Sequence, residues 1–309
     1  MSETAFAGSG SLHLRLPATS ANLGSGFDTA AVALDFSLEI EAKAAAEFSI
    51  LASGYNVERC GRLEDNLILK IYRGLLVDHG RAVVPLRISM QNGIPLGMGC
   101  GSSAAGRLAG IVLANHFGQL GWSSERILEE ACALEGHPDN AVACWLGGFV
   151  AAASRDGKVH VARVTPPPEW RAIVAMPADP LPTSQARAVL PESYSREDVV
   201  ANIQSAALLG LAFAQGRGDL LGVAMGDRIH QPYRTAICSF LPRLLPLTGQ
   251  RGILGAALSG AGPSVLLIVE SEGRVEEVSE LIRKATEGLP EPVLLVCRLL
   301  GDGTKVELG

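Results

Sequence analysis

The segment Pro95-Leu-Gly-Met-Gly-Cys-Gly-Ser-Ser-Ala-Ala105 sets glycines at 97, 99 and 101 directly ahead of two serines. Glycine lets the backbone turn sharply and bring N–H groups against a ligand with no Cβ in the way. Ser102 and Ser103 stand where a helix of small residues, Ala104 to His116, begins. A helix start favours an anion through its free N–H groups and its dipole, and hydroxyls there can donate to phosphate or ligate Mg²⁺. The chemistry indicated is phosphate binding. A plain strand-to-helix turn with a serine cap would need only one of these residues. The loop is not a Walker A loop, because G-x-x-x-x-G-K-[ST] is absent, and it misses G-x-G-x-x-G. No G-x-S-x-G elbow surrounds Ser102, Ser103 or Ser259, which leaves a serine hydrolase unsupported.

The elements that must position this loop alternate between strand and helix patterns. Leu12 to Leu16 alternates, and Pro17 then ends the strand in a loop over Ala18–Asp28. Ala31 to Glu41 reads as strand. Asp65 is the expected N-cap of a helix over Asn66–Asp78, with Leu67, Ile71, Leu75 and Leu76 at helical spacing. Leu86 to Met90 alternates as a strand before the glycine loop. Ser123 opens a helix that ends near Gly136, and His137-Pro-Asp-Asn140 reads as a turn. Gly148 to Ala153 and Ile173 to Met176 are strand-like. Between them the run Pro166–Pro168 favours extended chain and marks a boundary between residues 1–165 and 166–309. Arg196–Gln215, Asp219–Arg228 and Val275–Glu287 read as helices, and a last glycine-rich segment covers Gly252–Gly262. The pattern is that of two α+β halves.

Composition closes other routes. The 309 residues are 48% hydrophobic and 19% charged, ample for a buried core. A net charge of −6 without a run of Lys or Arg lacks the electrostatic footprint of a nucleic-acid binder. The longest apolar stretch, Ala141 to Ala153, is interrupted by two glycines and too short to span a bilayer. Met1 to Gly8 lacks a basic region leading into an apolar one, so no export signal is expected. Six cysteines without a C-x-x-C pair suit a reducing cytoplasm rather than a disulfide framework.

Pro95 to Ala105 resembles the phosphate loop of the GHMP kinases, the family named for galactokinase, homoserine kinase, mevalonate kinase and phosphomevalonate kinase. Leu16 to Asp28 resembles its N-terminal motif, and Glu135-Gly-His-Pro-Asp-Asn140 with Leu146–Phe149 its middle motif, both in the form of the branch acting on homoserine. Gly255 to Pro263 resembles the C-terminal glycine motif, while Thr183 to Pro191 and Gln231 to Arg234 are similar to further segments of that branch. Met98 and Cys100 depart from the small residue and leucine common in the loop.

The resemblance implies a two-domain α+β GHMP-kinase fold, with mixed sheets, helices packed on one side and the phosphate loop at a helix N-terminus. It implies transfer of the ATP γ-phosphoryl group to the hydroxyl of L-homoserine, in a cytoplasmic homodimer that binds neither nucleic acid nor membrane. Pro95, Gly97, Met98, Gly99, Cys100, Gly101, Ser102, Ser103 and Ala104 would hold the nucleotide, with Mg²⁺ on Glu135 and a loop serine, Ser103 ahead of Ser102. Arg187 and Arg234 are candidates for the substrate carboxylate, since guanidinium groups bind it bidentately. Asn22 and Asp28 would take the ammonium and orient the hydroxyl, although Asx-type loop bonding explains them too. His137 and Thr183 would contact substrate, where the plainer readings are a turn and a helix N-cap. Asn140 would lie near the transferred phosphoryl, with Asp139 beside it and no dedicated base required. A mevalonate-type or sugar acceptor, or a non-catalytic nucleotide-binding protein on the same fold, are the other readings of these residues.

Overall fold

The structure, a computed structural model, describes residues 10–309. Residues 1–9, where no export signal is read, lie outside the described part. Sheet one contains β1 (Leu12–Asn22), β2 (Gly26–Ala44), β3 (Ser49–Gly54), β4 (Leu86–Asn92), β5 (Phe149–Arg155), β6 (Lys158–Val164) and β11 (Lys305–Leu308). Its order is β11-β1-β2-β4-β3, with β5 pairing the first part of β2 and β6 pairing β5. Among the described residues only β3 and β4 run parallel. Sheet two has the order β10-β7-β9-β8, from β7 (Arg171–Met176), β8 (Ile253–Leu258), β9 (Val265–Val269) and β10 (Val293–Arg298), all antiparallel.

The helices are α1 (Val57–Cys60), α2 (Leu67–Asp78), α3 (Ser102–Phe117), α4 (Ser124–Glu135), α5 (Asp139–Leu146), α6 (Thr183–Ala188), α7 (Arg196–Gln215), α8 (Gly218–Ala224), α9 (Gln231–Arg234), α10 (Leu241–Leu244) and α11 (Val275–Ala285). Strand alternation explains how they pack. On sheet one His13, Arg15, Glu39 and Glu41 face solvent, and the intervening Leu12, Leu14, Leu38 and Ile40 face α3 and α5. On β7 one face, Ala172, Val174 and Met176, joins that same core, while Ile173 and Ala175 join a second core with Val278 and Ile282 of α11. Strands β7, β8 and β9 are thus buried on both faces and read as apolar runs, while the edge strand β10 leaves Val293 and Val296 exposed. Among the described residues no helix is long and apolar enough to cross a membrane.

Several sequence expectations change for local reasons. Pro17 does not end β1: the strand continues to Asn22, and the register shifts between Pro17 and Ala18, a bulge position where a missing N–H is tolerated. Most of the expected loop Ala18–Asp28 is therefore a buried hairpin with its turn at Leu23–Ser25. Asn66, not Asp65, caps α2, its Oδ1 accepting from the N–H groups of Ile68 and Leu69 at 3.1 and 3.3 Å. Asp139 and Asn140 open α5 instead of forming a turn, because Gly136 ends α4 in the left-handed region and Pro138 takes the N-cap. The helix expected through Arg228 stops at Ala224. Buried Asp227 then accepts from the N–H groups of Ile229, His230 and Gln231, which restarts the chain as α9.

The two sheets meet through aromatic packing. Phe213 of α7, 1% exposed, stacks on Phe149 of β5 at 4.1 Å and meets Trp170 edge-on at 5.5 Å. Phe213→Ala should lower unfolding free energy by about 3–5 kcal/mol, the usual cost of an aromatic-sized cavity, measured by urea denaturation.

Candidate active site

The phosphate loop is held by its carbonyls. Gly97 O accepts from Leu181 N (3.0 Å), Cys100 O from Thr19 N (3.1 Å) and Gly99 O from Ser259 Oγ (2.7 Å). Ser259 Oγ also lies 2.8 Å from Ser20 Oγ, so the β1–β2 hairpin, the Ser259–Gly262 turn and the loop form one unit. Among the described residues no hydrogen bond uses the N–H groups of residues 97–103 as donors. Gly97, Gly99 and Gly101 each have φ 73°, and Gly101 caps α3 without a side chain. A Cβ at Gly99 would collide with the Ser259 carbonyl and one at Gly101 with Thr19 Oγ1. The glycines are thus required both for the turn and for close approach.

A cavity of about 160 Å³ opens over this loop. Its wall includes Asn22, Asp28, Glu135, His137, Asp139, Asn140, Thr183, Arg187 and Arg234 together with Gly97, Gly99 and Cys100 to Ser103. The structure brings these together from five separate stretches of chain. Pro95, Met98 and Ala104 do not line it: Pro95 and Ala104 are buried beneath the loop, and Met98 packs against the core. A second, more apolar cavity of about 480 Å³ adjoins the first, sharing Gly97, Ser102, Ser103 and Thr183. Leu38, Ile68, Met90, Ile94 and Leu96 give it apolar walls, with Asn56 and Asn66 at polar points. Sequence reading misses this cavity because residues such as Met90 and Ile68 carry the pattern of ordinary core.

The electrostatics divide the first cavity. On one side Ser103 Oγ and Glu135 Oε2 both accept from Arg107 Nη1, the latter at 2.5 Å. Two hard oxygens converging on one cation are a donor set suited to Mg²⁺. Burial raises the pKa of Glu135, against the pull of Arg107 and His137. Arg107 escaped sequence reading because it carries no motif, lying one turn after Ser103. On the other side His137 Nδ1 is 2.6 Å from Asp139 Oδ1, which also accepts from Asn140 N at 2.7 Å. Burial lowers the His137 pKa, but the hydrogen bond and charge of Asp139, aided by Asp28 and Glu135, leave it raised. Asn140 Oδ1 accepts from Thr19 Oγ1 at 2.6 Å, beside Gly101.

Asp28 and Asn22 sit in the left-handed region, and Asn22 Oδ1 accepts from Asp28 N at 2.9 Å while its Nδ2 donates to Gly260 O at 2.7 Å. The Asx-type bond and the position on the cavity wall hold together. Asp28 binds Arg187 bidentately at 2.7 and 3.1 Å. The two arginines are therefore not equivalent: Arg187 already has a carboxylate, whereas Arg234, 1% exposed, donates to Ala186 O (2.9 Å), His230 Nδ1 (3.1 Å) and Gly260 O (3.4 Å). Both guanidinium groups face the ring of Phe27, at 5.6 and 5.5 Å, a residue inside the Leu16–Asp28 motif that received no role from sequence reading. Thr183 is the first residue of α6, not its cap, and lines both cavities.

Sequence comparison places this geometry in a class. The family description "GHMP kinases N terminal domain" matches residues 66–148, and "GHMP kinases C terminal" matches residues 211–287. The chain belongs to the GHMP kinases, ATP-dependent phosphotransferases acting on an alcohol. It is 44% identical to a homoserine kinase of Solibacter usitatus over 273 residues, 88% of this chain and 89% of the relative. It is 37% identical to a homoserine kinase of Deinococcus radiodurans over 260 residues, 84% of this chain and 85% of the relative. Within the class it belongs with the homoserine kinases. The solved structure of a homoserine kinase from Cytophaga hutchinsonii shares the fold, with a TM-score of 0.81 at 24% identity over 99% of both chains.

Gly99→Ala should weaken binding of a fluorescent ATP analogue at least tenfold, since Ala resists φ 73° and its Cβ meets the Ser259 carbonyl. Unchanged affinity would contradict the role given to the loop.

Proposed function

We propose that this site transfers the γ-phosphoryl group of ATP to the hydroxyl of L-homoserine, giving O-phospho-L-homoserine for threonine biosynthesis. The observation that carries the substrate assignment is Arg234: a buried guanidinium on the cavity wall whose partners are carbonyl oxygens and an imidazole, with no carboxylate among the described residues. Such a buried charge requires an anion, and a substrate carboxylate supplies it. Across the cavity Asp28, His137 and Asp139 bring ligand atoms within 4.8 Å of one another, and the two carboxylates, shared with Arg187 and His137, would accept from an ammonium.

The amides of residues 97–103 bind the phosphates, and the adjoining apolar cavity takes the nucleobase. Ser103 and Glu135 would hold Mg²⁺ in place of the Arg107 guanidinium, and the ion would neutralise phosphate charge. Thr19 donates to Asn140 Oδ1 and Asn140 Nδ2 reaches Asp139 Oδ1 at 3.4 Å, which fixes the amide and leaves its second N–H for charge developing on the phosphoryl group. Asp139 already accepts from Asn140 N and pairs with His137, so we assign it to holding those two residues rather than to abstracting a proton. Positioning then supplies most of the catalysis. Asn22, Thr183 and Arg187 complete the substrate wall.

A mevalonate-type acid would satisfy Arg234 but offer the two carboxylates no ammonium, and a sugar would satisfy neither. We also propose that residues 1–165 and 166–309 are the two units, supported by the change of sheet across Pro166–Pro168, with β11 returning the end of the second unit to the edge of sheet one. A cytoplasmic setting is consistent with six free, buried cysteines, and a homodimer with the family resemblance.

Arg234→Met should raise the homoserine KM by about 10–100-fold, the loss of a charge-assisted contact, while the ATP KM stays within about threefold. Steady-state kinetics with coupled ADP detection measure both, and a panel in which mevalonate outruns homoserine would overturn the assignment. Glu135→Gln should weaken Mn²⁺ binding to the enzyme–nucleotide complex about tenfold or more by electron paramagnetic resonance; unchanged binding would remove Glu135 from the metal site.

A further inference from the structure

We infer that His230, which carries no chemistry in the reaction, is a positioning residue that fixes the Arg234 guanidinium through a single neutral tautomer of its ring. The inference rests on the reading that Arg234 receives the substrate carboxylate.

The imidazole is fully buried, between the tip of the β1–β2 hairpin and Arg234. Its Nε2 lies 2.8 Å from the Gly24 carbonyl, which can only accept, so Nε2 carries the proton. Its Nδ1 lies 3.1 Å from Arg234 Nη1, which can only donate, so Nδ1 is bare. These two neighbours, on opposite sides of the ring, select one protonation state: an imidazolium would turn an N–H toward the guanidinium. Burial lowers the His230 pKa, Asp227 opposes and Arg234 reinforces the shift. Asp227 does not compete for the ring at short range, since Oδ2 accepts from the N–H groups of His230 (3.0 Å) and Gln231 (2.6 Å) and Oδ1 from that of Ile229 (2.9 Å). The carboxylate fixes the backbone that carries the histidine.

The ring plane is set as well. His230 stacks on Phe27 at 5.0 Å and 26°, and Phe27 also faces the guanidinium groups of Arg187 and Arg234. Arg234 therefore has Nε committed to Ala186 O, and Nη1 to His230 and Gly260. Nη2 is the nitrogen those contacts leave for a ligand. Through Gly24 the same imidazole ties the guanidinium to the hairpin that carries Asn22 and Asp28, so the groups assigned to the carboxylate and the ammonium share one frame.

Two amides separate the ring nitrogens. In His230→Asn the side-chain oxygen falls near the position of Nδ1 and can still accept from Arg234. In His230→Gln the amide falls near Nε2, reaching Gly24 and leaving Arg234 without its acceptor. We expect H230N to keep the homoserine KM within about threefold of wild type and H230Q to raise it about tenfold or more. The ATP KM should stay within about threefold in both. In ¹⁵N-histidine-labelled enzyme the signal lost in H230N should be that of an Nε2–H tautomer. Equal effects of the two amides, parallel rises in both KM values, or an Nδ1–H signal would each overturn the inference. With Arg234→Met as reference, a raised homoserine KM there beside an unaffected H230Q defeats the inference alone. An unaffected Arg234→Met defeats the substrate reading and this inference with it.

Discussion

The active site depends on keeping one stretch of backbone turned with its N–H groups outward and its carbonyls tied down. In most glycine-rich turns the chain satisfies its own donors. Here the bonds run the other way, because Leu181 N, Thr19 N and Ser259 Oγ all take carbonyls of residues 97–100. The three left-handed glycines permit this geometry, but the hairpin and the Ser259 turn enforce it. A loop whose N–H groups have no hydrogen-bond partner among the described residues, at the start of α3, has the geometry that suits an anion, and the buried polar network around Ser20, Asn22 and Ser259 holds it.

The substrate side follows from the same packing. Small polar residues in the hairpin, which would elsewhere signal a solvent loop, are buried between the two halves, with Ser25 Oγ donating to Ala224 O and Asn22 Nδ2 to Gly260 O. The hairpin can carry Phe27 and Asp28 into the cavity because both its flanks are anchored. Two arginines then arrive from the far side in different electrostatic states. Arg187 is paired and 40% exposed at its side chain, while Arg234 is buried and met by dipoles alone. Burial of a guanidinium among dipoles is tolerable when it is rigidly bonded, and it makes the group a strong anion receptor because little water competes.

Much of the fold was legible where one physical rule governed a segment. Leu86–Asn92 alternates because one face of sheet one is wet, and α4 begins at Ser124 because Ser123 accepts from Arg126 N. Reading failed where tertiary partners replaced solvent. Pro17 looked like a strand end and is a bulge, Ala18–Asn22 looked like loop and is buried strand, and Asp227 cut a helix short by capping the next one. Strands β3, β6 and β11 lie at edges of sheet one; Lys158–Val161 and Lys305–Leu308 do alternate, but these runs are short and sequence reading did not find the strands. At the site, residues within motifs were nameable in advance. Arg107 and the walls of the apolar cavity were not, since an isolated arginine or leucine has many uses, and Phe27, though inside the Leu16–Asp28 motif, was given no role.

The sequence by itself determined that a glycine-serine loop would turn sharply into a helix start, because φ > 0 and absent Cβ atoms are properties of residue type. It also determined which polar residues were available to a substrate. Only the tertiary structure decided their states: that Arg187 answers Asp28 while Arg234 has no carboxylate partner among the described residues, that Ser103 and Glu135 converge on the Arg107 guanidinium, and that His230 stands between Gly24 and Arg234. Those distinctions depend on which groups lose water together, and packing settles that as much for His230 and Arg234, four positions apart, as for Asp28 and Arg187, 159 apart.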